Sequence, residues 1–323
     1  MPQPAENTEA AERLIQVYRD AQASLARRLA GVLTDPNETR LRARLREQIR
    51  TVGAMRSGLE EATRDWLTGT MPEIYAAGAA KAAAEAGSSF AWTIPHTESV
   101  QALADTAWGD VAAHLQDMET DTKRALRDLA KDTSRQIVAE GRTAAVATRE
   151  LERWMGENGL GTVTYRNGAK HLAADYADTL ARTISANAYN EGAFTQLEQD
   201  GIEWAEVSDG PDCGWERHDD SDKANGTVRK VSDCREHSLS HPRCARSFSG
   251  RPDVTSAAQA KQARRFSPEE QAQAAAEERA RDAASPRTLT GRARTSRTAR
   301  TPRAQRTGRS PRTPRAASQD STS

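Results

Sequence analysis

The sequence predicts a mainly α protein: a long helical N-terminal bundle, then a small α+β, loop-rich module, then a disordered basic C-terminal tail. Three observations carry that prediction. Apolar residues recur at steps of three and four over most of residues 8–156, with charged residues on the opposite faces. Four glycines between 156 and 168 interrupt the pattern, and short alternating runs follow. The last forty or so residues are built from Arg, Thr, Ser, Pro, Ala and Gln and carry almost nothing apolar. The expected divisions are an elongated helical domain over 1–156, a module over 157–254, a helical extension over 255–284 and the tail over 285–323.

The first helix places Leu14, Tyr18, Ala21, Leu25 and Val32 on one face and stops near Thr34. Asp35-Pro36-Asn37-Glu38 marks a new start, with a capping Asp, a Pro suited to the first turn and a Glu three residues on. The second helix carries Leu41, Leu45, Ile49, Val52, Met55 and Leu59 as a stripe. An Ala-rich third helix runs from Pro72 to Glu85 and ends at Gly87. After a loop with Pro95 and His96, a long pattern from Thr97 to about Trp154 repeats Trp108, Val111, Leu115, Met118, Leu126 and Leu129. Such stripes are buried only against one another, which calls for an antiparallel bundle. Trp66, Trp108 and Trp154 read as core, and His96 and His114 as surface or boundary residues.

Beyond the glycines, Gly161–Tyr165 alternates like a strand, and Asn167-Gly168 is a hairpin turn signal. A helix is expected from His171 to Gln199, a strand over Ile202–Val207, loops over 208–250, and a helix from Ser256 to Ala284 interrupted near Ser267-Pro268.

Lys plus Arg equal Asp plus Glu at 46 each, so the formal charge is zero. From Ala283 to Ser323 there are ten Arg, no Lys and one acid, Asp320, a charge of +9; residues 1–282 carry −9. Arg294, Arg297, Arg300, Arg303, Arg306, Arg309, Arg312 and Arg315 recur every third residue, with Pro at 302, 311 and 314. That period suits polyproline-like extension and salt-sensitive contact with the phosphates of double-stranded DNA. No run approaches the roughly 20 apolar residues of a membrane span, and the first residues do not read as a signal peptide. No phosphate-loop, nucleophile-elbow or HExxH pattern is present.

Three Cys, an odd count, lie in one stretch beside His. That argues against a disulfide framework and toward a metal or plain buried thiols. Cys213-x4-His218 and His241-x2-Cys244 offer two thiolates and two imidazoles, the donor set of structural Zn²⁺. Cys234 and His237 are competing ligands. The alternative is a loop tied by hydrogen bonds, with Asp209 and Asp212 capping turns, His241 structural, and Asp219, Asp220 and Asp222 solvated.

In the same stretch the chain resembles the MuF-like minor capsid proteins of tailed phages, over roughly residues 157–254. The resemblance rests on Thr164–Ala169, Asp175-Tyr176-Ala177, Arg182-Thr183, Asn190-Glu191-Gly192, Ser208-Asp209-Gly210-Pro211-Asp212-Cys213, Ala224-Asn225-Gly226 and His241-Pro242-Arg243-Cys244-Ala245-Arg246-Ser247-Phe248. It implies a minor head protein in the virion, acting in head assembly with the portal, capsid and scaffold proteins, and no membrane. Many members pair Cys-x-x-Cys with His-Pro-x-Cys. Here Glu216 stands at the second position and His218 is the nearest substitute. Arg182 and Thr183 match the family's Arg-Thr pair, and the expected role is structural, with Arg182 bonding loop carbonyls or an acid. Two enzyme readings compete: a metal nuclease using His218 with Asp219 and Asp220, and a head maturation protease, for which no persuasive Ser/His pair is present.

Overall fold

The computed structural model describes residues 5–33, 38–132, 162–164 and 170–284. Over these it is mainly helical, with two small antiparallel sheets. The helices are α1 (Ala5–Leu33), α2 (Glu38–Asp65), α3 (Met71–Ala86) and α4 (Ile94–Asp132). Strands β1 (Thr162–Thr164) and β2 (Lys170–Leu172) pair and lead into α5 (Ala173–Gln199). Then come β3 (Trp204–Ser208), β4 (Val228–Lys230), α6 (Val231–Glu236), β5 (Ser247–Gly250), α7 (Ala257–Gln262) and α8 (Pro268–Ala284).

The apolar stripes meet as expected. Leu14, Tyr18, Leu25 and Val32 of α1 are buried, as are Leu45, Val52 and Leu59 of α2 and Val111, Leu115, Met118 and Leu126 of α4. Burying one such side chain contributes roughly 1.5–3 kcal/mol. Two polar bonds fix the pairing of α1. The Trp66 indole donates to Ala10 O at 2.9 Å. Thr63 donates to Leu59 O, so the Tyr18 hydroxyl donates to Thr63 Oγ1 at 3.0 Å, and burial pushes the Tyr18 phenol up to about 12. Trp66 is core; Trp108 is part-buried against the same cluster with the Arg64 guanidinium 3.9 Å from its ring centroid. Trp154 and Leu129 lie outside what can be described of side chains.

Several boundaries differ from expectation. Between α2 and α3 the chain makes a π turn over Trp66–Thr70, which no periodicity announces. Gly87 does end α3, left-handed at φ 74°. Helix α4 begins at Ile94, so Pro95 sits in its first turn, where the missing N–H costs nothing. His96 is neither loop nor surface: it is fully buried. His171 belongs to β2, and α5 starts two residues later. The 208–250 stretch, expected to be loops, contains β4, α6 and β5, each too short for periodicity to register.

β3 is the central strand of the second sheet, in the order β4-β3-β5, with Trp204 opposite Lys230 and Val207 opposite Phe248. Helix α5 is shared. Its Tyr176, Ala177, Ala181 and Tyr189 join the cluster formed with α1–α4, while Phe194 and Leu197 join Ala205, Val207, Trp215 and Phe248. Lys81 of α3 adds bonds to Phe248 O (3.1 Å) and Ser249 Oγ (3.0 Å) of β5. Helix α5 thus packs against both α1–α4 and the second sheet. Met1–Asp282 form one compact unit and Ala283–Ser323 a second. The tail arginines and the Asn167-Gly168 turn lie outside the described residues.

Candidate metal centre

Two chain segments build the centre. The first leaves β3 at Ser208. Asp209 Oδ1 accepts from Gly210 N at 2.8 Å, and Cys213 N donates to Gly210 O at 3.0 Å, closing a tight turn. Residues 214–223 fold back on themselves: Gly214 N donates to His218 O, Trp215 N to Asp222 O, and Ala224 N to Cys213 O. Asp220 accepts from Glu216 N and Asp222 N, and these backbone bonds hold its carboxyl below the ordinary range. Asp222 pairs with Arg229 at 2.8 Å, and Asp219 is exposed. Asp220 is thus a turn acid and Asp222 a paired one, and neither is simply solvated.

The second segment is His241–Phe248, tied to α5. Arg243 takes a left-handed backbone (φ 65°), donates its N–H to Thr183 Oγ1 at 3.5 Å and ion-pairs with Asp178. Asn190, fully buried, donates to Arg246 O at 3.0 Å and Ser238 O at 3.3 Å. Arg182 bonds acids, Asp178 (2.8 Å) and Glu12 of α1 (2.7 Å), and these acids strengthen its hold on its proton. It ties α5 to α1, while Thr183 touches the loop.

The loop carbonyls are bonded by Arg246. Its side chain is fully buried. Nε donates to Asp209 Oδ2 at 2.7 Å, Nη1 to Trp215 O (3.0 Å) and His237 O (2.7 Å), and Nη2 to Gly214 O (2.5 Å). Its guanidinium also lies 4.9 Å from the Trp215 ring centroid. A buried charge is tolerable only with such complete pairing. Both segments are thereby locked together around one cation. No alternation marks this residue in the sequence: Cys244, Arg246, Ser247 and Phe248 are all buried, and only Ala245 of that run is exposed.

Within that frame Cys213 meets both imidazoles, while Cys244 meets Cys213 and Asp209 rather than the imidazoles. Cys213 Sγ lies 3.7 Å from His218 Nδ1 and 3.4 Å from His241 Nε2. Cys213, His218 and His241 form one group, and Asp209, Cys213 and Cys244 another, each with donor atoms within 4.8 Å of one another. Bond lengths of roughly 2.3 Å to sulfur and 2.0–2.1 Å to nitrogen, at tetrahedral angles, require sulfur and nitrogen about 3.5 Å apart. The two measured separations bracket that value. His241 Nδ1 donates to Pro242 O at 2.8 Å, which leaves the Nε2 lone pair facing Cys213. Cys244 is pulled down to about 5 by its hydrogen bond from Cys213, and the same bond, with burial, pushes Cys213 up. Cys244 Sγ also lies 3.6 Å from Asp209 Oδ1, to which its thiol donates. These groups can hold a metal ion.

The competing ligands are elsewhere. Cys234 is fully buried among Val231, Ala224 and Phe248, and burial pushes its thiol up to about 12. His237 packs at a tilt against Trp215, its ring centroid 5.1 Å away, and donates to Asp233 O at 3.0 Å. Neither belongs to a ligand group among the described residues. Asp212 pairs with Lys223 (3.2 Å) and Arg279.

Fold and site together define a helix-rich chain with a Cys/His/Asp centre braced by a buried arginine. No family model, curated protein or solved structure matches it. Among the described residues no helix is long and apolar enough to cross a membrane.

Proposed function

We propose that this chain is a minor head protein of a tailed phage, of the MuF-like kind, acting as a structural component of head assembly at the portal or inner capsid. The observation that carries the reading is the meeting of the two segments behind the resemblance. Ser208–Cys213 and His241–Phe248 are some thirty residues apart in sequence and are joined by the Asp209–Arg246 pair. Asn190 and Thr183, also in the motif series, anchor the second segment to α5. Asp209, Thr183, Asn190 and Arg246, four residues of the resemblance, therefore share the task of joining these segments.

Zinc is the ion that suits the donors, with Cys213, His218, His241 and Cys244 as ligands. Two thiolates and two neutral imidazoles balance a divalent ion, and Asp209 is already balanced by Arg246. Cys213, His218 and His241 are close enough to share the ion, and Cys244, grouped with Cys213 and Asp209, would complete a four-ligand set whose contribution is cross-linking. The acidic 1–282 region faces portal, capsid and scaffold proteins, and the tail arginines 294–315 contact packaged double-stranded DNA.

Deleting the gene and counting DNA-filled heads and infectious particles tests the reading. Loss of infectivity, restored by the wild-type gene in trans, is expected; unchanged heads and titre would refute it. Elemental analysis of protein purified without chelator should give close to one zinc per chain. Less than a tenth of an equivalent would remove the metal from the account.

A further inference from the structure

A pocket with a volume of about 280 Å³ lies between the 208–227 loop and α8. Ser221, Asp222 and Lys223 form one wall; Arg264, Gln271 and Arg279 form the other. Two of these carry buried donors without an acceptor among the described residues. Arg264 Nε has none, and neither does Gln271 Nε2, although Gln271 is only 2% exposed. Gln271 Oε1 is occupied by Arg264 Nη2 at 3.4 Å, so the amide's free end is its donor end. Leaving a buried donor unsatisfied is costly, more so when it is charged.

The charges select the sign of what fills the space. Three cations line the pocket against one acid, and Asp222 is already held by Arg229. Asp212 neutralises part of Lys223 and Arg279 from beside the pocket, but Arg264 has no carboxylate partner among the described residues. Orphan N–H groups from a guanidinium and an amide, with a hydroxyl at Ser221, call for a ligand rich in acceptors and negatively charged. A tetrahedral oxyanion meets each of these requirements, and guanidinium forks suit it in particular.

We propose that this pocket binds a phosphoryl group, either free phosphate or a phosphate of a nucleic-acid backbone. The inference is independent of the metal centre and of the phage assignment. The test is calorimetric titration of the full chain with inorganic phosphate, alongside anisotropy titration of a short DNA duplex. Arg264→Gln and Gln271→Glu are compared with wild type; the second keeps shape and adds a repelling charge. A control replaces the tail arginines by glutamine.

Expected is one saturable phosphate site, retained in the tail control and weakened about tenfold or more in both pocket variants. If duplex affinity is unchanged in those variants, the ligand is free phosphate. If it falls in parallel, the ligand is a backbone phosphate. Should Arg264→Gln fail to fold, Gln271→Glu decides alone. No saturable phosphate binding, or binding equal in wild type and Gln271→Glu, would overturn the proposal and leave the pocket to water.

Discussion

Arg246 is the residue on which the module depends. Replacing it with Met leaves Asp209 charged and buried with its partner gone, and three loop carbonyls without donors. A loss of about 3–5 kcal/mol in urea unfolding is expected. Adding Asp209→Asn should recover part of it by removing the stranded charge; no recovery would place the cost in the carbonyls. His96 gives a second residue-scale prediction. Its Nε2–H donates to Gln196 Oε1 (3.2 Å) and its Nδ1 accepts from the Tyr75 hydroxyl (3.0 Å). Burial lowers its proton affinity below the ordinary 6.5. The unfolded chain therefore binds that proton more readily than the fold does. Stability is full above about pH 6.5 and falls as pH drops through and below it. His96→Gln should flatten that part of the stability–pH curve, and an unchanged curve would assign the slope to other groups.

At the scale of elements, α3 and α5 cross with backbone close to backbone. A Cβ at Gly78 would overlap the Tyr189 carbonyl, and one at Gly192 the Tyr75 carbonyl. Either Gly→Ala change must force the helices apart, at about 1–3 kcal/mol or more. A thermal melt of Gly192→Ala within a degree of wild type would contradict this crossing. Here the sequence was legible in some respects and silent in others. The stripes of α1, α2 and α4 were readable because one apolar face repeated for many turns. Gly192 was visible as a motif residue, but only the crossing explains it. β4, α6 and β5 left no trace, since three to six residues hold at most two periods of the strand or helix repeat. His96 was misread because nothing in its neighbours reveals that Tyr75 and Gln196 come from other helices. At the centre, Cys213, His218 and His241 were legible from donor chemistry and Cys244 from its spacing. The exclusion of Cys234 needed the fold, because burial in an apolar cluster is not written in spacing.

The whole molecule is neutral only as a sum. The compact unit ends at Asp282, where the count of charge also turns from −9 to +9. Two electrostatic surfaces of opposite sign on one chain suit two partners of different chemistry. If the eight regularly spaced arginines each neutralise a phosphate, the logarithm of duplex affinity should fall against the logarithm of salt with a slope of about 7. Removing residues 285–323 should abolish most of that dependence; an undiminished slope would move the DNA contact to the compact unit. The proposed assignment as a minor head protein is tested most directly by quantitative mass spectrometry of purified, DNA-filled heads of a tailed phage carrying the gene. The account predicts the protein in a small, fixed number of copies per head, retained through high-salt washing. Its absence from such heads would contradict the account.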